Sequence, residues 1–214
     1  MVEFEHKRGQ MVKRQIEGRG VCDRYVLEAM REVPREEFVS AEMAEFAYED
    51  RPLPIEEGQT ISQPYIVAAM IEAAKIRPGE SVLEVGAGSG YAAAVMSCVA
   101  DHVRAIERHP ALGEGARERF DRLGYDNIEL HIGDGTKGWP QAASFDAILV
   151  AAGSPRIPEA LIEQLAVDGR IVIPVGEDHP QRLLRVTRTD QGLVREEDLG
   201  PVNFVPLVGE QGWK

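Results

Sequence analysis

The chain has 214 residues, 43% of them hydrophobic, and a formal net charge of −12. That is enough apolar content for one good core, so a single domain over residues 1–214 is expected, and the acidic balance argues against nucleic acid as a partner, because phosphate binding rests on Lys and Arg. No run approaches the roughly 18 apolar residues of a membrane span, the charged start MVEFEHKRGQ has no signal-peptide core, and Cys22 and Cys98 show neither disulfide nor metal-ligand spacing.

A cytoplasmic protein with no metal site and no membrane association is therefore expected, with both cysteines read as packing residues. Residues 1–20 are polar with scattered apolar positions (Met11, Val12, Ile16), which predicts a surface helix stopping near Gly18 and Gly20. Over Asp23–Val33 the positions Val26, Leu27, Met30 and Val33 fall on one helical face, with Asp23 as N-cap and Pro34 as the stop. Residues 35–58 mix short apolar pieces with Pro52 and Pro54 and predict an irregular connection. Together 1–58 form an N-terminal helical cover, ahead of a core over 59–180 and terminal strands over 181–214.

Gly58-Gln-Thr-Ile-Ser-Gln-Pro64 leads into an amphipathic helix over Tyr65–Lys75. From spacing alone Ser62 reads as the cap of that helix, with Pro64 in its first turn, where a missing N–H costs nothing. No G-x-S-x-G elbow or His and acid partners mark it as a hydrolase nucleophile.

Val82, Leu83 and Val85 predict a buried parallel strand, followed by Gly86, Gly88 and Gly90 and a small apolar helix over Tyr91–Ala100. A strand, a glycine turn and a helix start make a ligand site, because the backbone can come close to a bound group and free N–H groups point at it. A dinucleotide loop of the G-x-G-x-x-G type would need glycine where Tyr91 stands. The G-x-G-x-G form preceded by Glu84 resembles the first motif of the class I S-adenosylmethionine methyltransferases, in which the acid serves the methionine end of the cofactor.

His102–Glu107 predicts the second strand, and Glu107 at its end stands about 20 positions beyond the glycine turn, the place from which an acid takes ribose hydroxyls. Pro110–Leu123 reads as a helix and Asn127–Ile132 as a strand running into Gly133-Asp134-Gly135. Asp134 is then either a turn residue or a ligand at a carboxyl edge. Strand Phe145–Val150, helix Glu159–Val167 and strand Gly169–Val175 complete five strands alternating with helices, which implies an α/β, doubly wound parallel sheet. The tail segments Arg182–Arg188, Leu193–Leu199 and Asn203–Val208 read as strands, antiparallel at the sheet edge.

GQTISQP, LEVGAGSGYAAA, the acid of AIERHP, HIGDG followed by GW, FDAILV, GRIVIPVG and the terminal FVPLV together resemble the bacterial protein-L-isoaspartate O-methyltransferase family. The resemblance implies a mostly parallel seven-stranded Rossmann-like methyltransferase sheet with an N-terminal helical extension and antiparallel C-terminal edge strands. It also implies a monomer that moves the methyl group of S-adenosyl-L-methionine to the carboxylate of L-isoaspartyl residues in damaged proteins and peptides. In that family pattern Ser62 is the active-site serine; Glu84 and the loop Gly86, Ala87, Gly88, Ser89, Gly90 take the methionine end; and Glu107, with Arg108 beside it, takes the ribose. Asp134 and Gly135 hold the adenine, while Thr60, Ile61 and Ser62 with Val205, Pro206 and Leu207 meet the substrate peptide. Arg51, Glu56, Glu57, Thr136 and Ser154 depart from the pattern at positions that could bear on peptide preference.

Overall fold

Burial along the central strands alternates between two sides. Val82, Ala147, Leu149 and Val172 join one apolar cluster, whereas Leu83, Val85, Ile148, Val150, Ile171 and Ile173 join another. Successive strand side chains point to opposite faces, so these runs form a sheet covered on both sides. The structure, a computed structural model, describes residues 2–177, 179–190 and 194–214.

The chain opens with α1 (Val2–Met11), which continues through a wide turn at Val12–Ile16, and then α2 (Arg24–Glu32). As the sequence predicts, Asp23 caps α2, its carboxylate accepting from Tyr25 N at 2.9 Å. The expectation of a surface helix at the start is corrected: Met11, Val12 and Ile16 are buried, because they close over α2 and the helix that follows the Ser62 segment. Short 3-10 turns at Arg35–Phe38, Ala44–Phe46 and Glu56–Gly58 make up the irregular connection. Within it β1 (Leu53–Pro54) and β2 (Thr60–Ile61) pair as a small antiparallel hairpin.

There follow α3 (Pro64–Ala74), β3 (Ser81–Val85), α4 (Tyr91–Ser97), β4 (His102–Glu107), α5 (Pro110–Leu123), β5 (Ile128–Ile132) and β6 (Phe145–Val150). Next come α6 (Glu159–Glu163), β7 (Leu165–Val175), β8 (Gln181–Arg188) and β9 (Val194–Val202). The seven-stranded sheet runs β5-β4-β3-β6-β7-β8-β9, parallel through β7 and antiparallel from β7 to β9. Helices α3, α4 and α5 pack in the first cluster and α6 in the second, so the sheet is doubly wound. The strand order reverses between β3 and β6, and ligands of open α/β sheets bind outside the carboxyl ends at such a switch point.

Four expectations change. The helix over Glu159–Val167 stops at Glu163, and Leu165 instead pairs with Phe145 at the start of a long, bulged β7. Leu161 and Leu165 share helical spacing, but Asp168 at φ 63 followed by Gly169 makes a tight kink that only a strand bulge absorbs. The tail segment Asn203–Val208 is not a strand of the large sheet: it makes isolated bridges, Gly153 with Pro206 and Val208 with Trp213, and Pro206 has no N–H to continue a ladder. The hairpin strand expected from Leu193 is seen from Val194 onward and reaches Val202, Leu193 itself lying outside the described residues. Cys22 and Cys98 are exposed rather than packed, Cys22 just ahead of α2 and Cys98 in the turn that follows α4.

Candidate active site

Three adjoining cavities form a trough at the carboxyl edge of β3, β4 and β6. The innermost, about 50 Å³, is lined by Ser62, Glu84, Gly86, Ala87, Gly88, Ser89 and Tyr91 among others. A second, about 140 Å³, continues along Gly86 and Gly88 to Glu107, Arg108, His109 and Gly135, and is walled by Val205 to Val208. The third, about 750 Å³, opens outward past Thr60, Ser62, Phe204, Val205 and Pro206, with Arg19 and His179 on its lining. Thr60 and Ala151 line all three.

The glycine loop is shaped by backbone need. Gly86, Gly88 and Gly90 have φ of 87, 54 and 89°, values that cost an ordinary residue free energy. Gly86 N and Ala87 N donate to Ile106 O at 2.9 and 3.1 Å, stitching the loop to β4. Gly90 does not line the trough. A Cβ there would stand 2.6 Å from Phe120 Cζ, so this glycine is needed for the packing of α4 on α5.

Glu107 is 5% exposed, and both its oxygens hold backbone: Oε2 accepts from Gly88 N at 2.7 Å and Oε1 from His109 N at 2.8 Å. It thus fixes the glycine loop and the start of α5 while lining the second cavity. Glu84 is 1% exposed and its Oε2 finds no partner among the described residues. Burial, with Glu107 adding like-charge repulsion and the Ala93 backbone opposing, holds its carboxyl well above the usual range. A buried carboxyl with one unpartnered oxygen, lining the cavity of the glycine loop, would ionise beside a cationic group, and the α-ammonium of an amino-acid-bearing nucleotide supplies one.

Asp134, expected at the adenine, is held by protein partners. Its Oδ1 accepts from Thr136 N at 2.9 Å and Thr136 Oγ1 at 2.7 Å, and its Oδ2 accepts from Glu210 N at 2.9 Å. Burial opposes ionisation there, but the Glu210 and Thr136 donors outweigh it and lower the pKa. Asp134 does not line the second cavity; Gly135 does, with its backbone so near that a Cβ would meet Val85 Cγ1 at 2.5 Å. Thr136 is buried and receives Gln211 N at 3.1 Å, so with Asp134 it ties the C-terminal tail beside the trough.

Ser62 does not cap α3. Gln63 occupies the N-cap position and makes no side-chain cap bond, Pro64 opens the first turn, and Ser62, one residue earlier, lines the innermost and outer cavities. The capping expectation misplaces the helix start by one residue. On the tail side, Gly153 N donates to Val205 O and Leu207 N to Gly153 O, both at 2.8 Å, and Trp213 N donates to Leu207 O. Those groups of the 205–208 segment are therefore already paired, and Leu207 is buried against the second cavity only. Ser154 is buried, donates to Arg156 O at 2.6 Å, and lines none of the three cavities.

Two contributors carry no sequence signal. Gln181 is buried at the start of β8 and holds Phe204 at two points, Phe204 N donating to its Oε1 at 2.9 Å and its Nε2 donating to Phe204 O at 3.3 Å. Arg35, in the cover segment, donates to Ser62 O. Only pairing across 23 and 27 positions of sequence reveals them.

Residues 6–212 match the family model described as Protein-L-isoaspartate(D-aspartate) O-methyltransferase (PCMT). A protein-L-isoaspartate O-methyltransferase of Protochlamydia amoebophila is 54% identical over 205 residues, spanning 95% of this chain and 98% of that one. A solved protein-L-isoaspartate O-methyltransferase superposes with TM-score 0.86 at 30% identity, over 97% of this chain and 67% of the other. A Plasmodium falciparum structure described as a protein of the same kind, in complex with S-adenosyl-L-homocysteine, superposes with TM-score 0.80 at 27% identity, over 92% and 96%.

Proposed function

Because this chain belongs to the protein-L-isoaspartate O-methyltransferase family, we propose that the trough at the carboxyl edge of its sheet is the active site, with Ser62 orienting the accepting carboxylate. The enzyme methylates the carboxylate of L-isoaspartyl residues in damaged proteins and peptides, a repair that proceeds through spontaneous succinimide formation and returns part of the damage to L-aspartate.

S-adenosyl-L-methionine, when bound, supplies a methyl group already activated on its sulfonium. The residues suited to hold it are Glu84 with Gly86, Ala87, Gly88 and Ser89 at the amino-acid end, and Glu107, Arg108 and Gly135 at the nucleoside end. Asp134 contributes by holding Thr136 and the tail. Its backbone neighbour Gly135, rather than its carboxylate, meets the base.

The isoaspartyl carboxylate is ionised at neutral pH, so this chain has no proton to remove, and positioning is its main task. The Ser62 hydroxyl donates one hydrogen bond to that carboxylate and acts as neither base nor nucleophile. Thr60, Ile61, Val205 and Pro206 border the peptide, entering through the outer cleft, whose volume of about 750 Å³ suits several residues. Residues 1–58 close the trough from one side, and 181–214 from the other. The net charge of −12 counts against a nucleic-acid partner, and we propose a monomer working in the cytoplasm.

The observation that carries this assignment is the meeting of Ser62, Glu84 and the glycine loop in one cavity open to the outer cleft. Ser62→Ala tests it: turnover should drop about a hundredfold with S-adenosyl-L-homocysteine binding retained. Unchanged turnover would remove Ser62 from the mechanism.

A further inference from the structure

Among the described residues Arg35 is the largest fully buried side chain, with no measurable exposure, and no carboxylate there lies within ion-pair distance of it. A guanidinium so enclosed is costly to hold without an opposite charge. Its donors bridge the cover segment and the segment that carries Ser62. Nε donates to Ala47 O at 2.7 Å, Nη2 donates to Ser62 O at 2.9 Å, and the guanidinium carbon stands 4.8 Å from the ring centre of Tyr91, which lines the innermost cavity. Nη1 finds no acceptor among the described residues. Burial pulls its pKa down to about 10, with Tyr91 and Tyr48 opposing, so it stays protonated at neutral pH.

Only a planar fork reaches both carbonyls while lying against an aromatic face; an ammonium is a single point and a neutral amide is too short. Ser62 has no other anchor of its own: it precedes the helix N-cap, sits past the end of β2, and no hydrogen bond to another residue fixes its hydroxyl among the described residues. We propose that Arg35 is a positioning residue for Ser62, bridging Ala47 O and Ser62 O so that the serine hydroxyl is held within hydrogen-bond reach of the place where the isoaspartyl carboxylate must lie. The inference rests on the role given to Ser62 above.

A double-mutant cycle on kcat tests both, with Ser62→Ala, Arg35→Lys, Arg35→Gln and the two combinations assayed at saturating peptide and S-adenosyl-L-methionine, at a temperature where circular dichroism reports each as folded. Arg35→Lys and Arg35→Gln should each lose about tenfold to a hundredfold in kcat, the scale of a misplaced reacting group, while the Kd for S-adenosyl-L-homocysteine stays within about twofold. Because Arg35 acts through Ser62, each combination should fall less than about threefold below Ser62→Ala alone. Fully multiplicative losses would overturn the inference and leave a merely structural arginine, as would either Arg35 variant with wild-type kcat. If Ser62→Ala itself keeps wild-type kcat, the failure lies in the role of Ser62, and the Arg35 inference goes with it.

Discussion

Replacing Glu107 by Gln keeps the shape of the side chain and removes its charge, which makes it a sharp probe of the trough. Both carboxylate oxygens accept from backbone N–H groups, Gly88 at 2.7 Å and His109 at 2.8 Å, and the residue is 5% exposed. An amide offers one oxygen and one NH2, so whichever way it is turned one of those two N–H groups faces a donor. An unpaired buried N–H costs about 1–3 kcal/mol, and that part should appear as lost stability of the ligand-free protein. Losing charge-assisted bonds to a ribose costs a further ~1.5–3 kcal/mol, which is about a ten- to hundredfold weaker Kd. Thermal unfolding and calorimetric titration with S-adenosyl-L-homocysteine read the two parts separately. A variant that melts lower but binds within twofold of wild type would show that Glu107 only shapes the loop, and would refute its role at the ribose.

Glu84→Gln should reverse a pH effect. The folded protein raises the Glu84 pKa above its unfolded value of 4.5, so its contribution to stability is present below that value and is lost as pH rises through the folded pKa. The ligand-free variant should therefore melt higher than wild type at pH 8 and not at pH 4, and wild-type affinity for S-adenosyl-L-homocysteine should tighten with pH while the variant's stays flat. Gly90→Ala puts a Cβ 2.6 Å from Phe120 Cζ at φ 89°, so denaturant unfolding should report a loss of about 2–4 kcal/mol. Gln181→Leu strips both backbone partners from Phe204, which lines the innermost and outer cavities; peptide KM should rise about tenfold, consistent with an unpaired buried group of about 1–3 kcal/mol, with cofactor Kd less affected.

Strand and helix periodicity made the doubly wound sheet legible, since β3, β4 and β6 are short apolar runs whose neighbours alternate with them in sequence. The glycine turn and Glu107 were legible for the same reason: one strand, its turn and the next strand form a local unit. What escaped is non-local. The Asn203–Val208 segment alternates like a strand, but Gly153 and Trp213 claim its backbone, and nothing in its own composition says so. The tie between Asp134 and the tail was hidden because its partner Glu210 arrives some 75 positions later in sequence. For Ser62 the helix start was off by one residue, which is within the ordinary fraying of helix ends and yet decides whether the hydroxyl caps a helix or lines a cavity.

The central claim is that this trough joins a methyl donor to a misplaced acid. Incubating the protein with labelled S-adenosyl-L-methionine and two peptides identical except for a normal or an iso-linked aspartate measures it directly. Label should appear, as a base-labile ester, on the iso-linked peptide alone. Equal labelling of both peptides, or of neither, would contradict it.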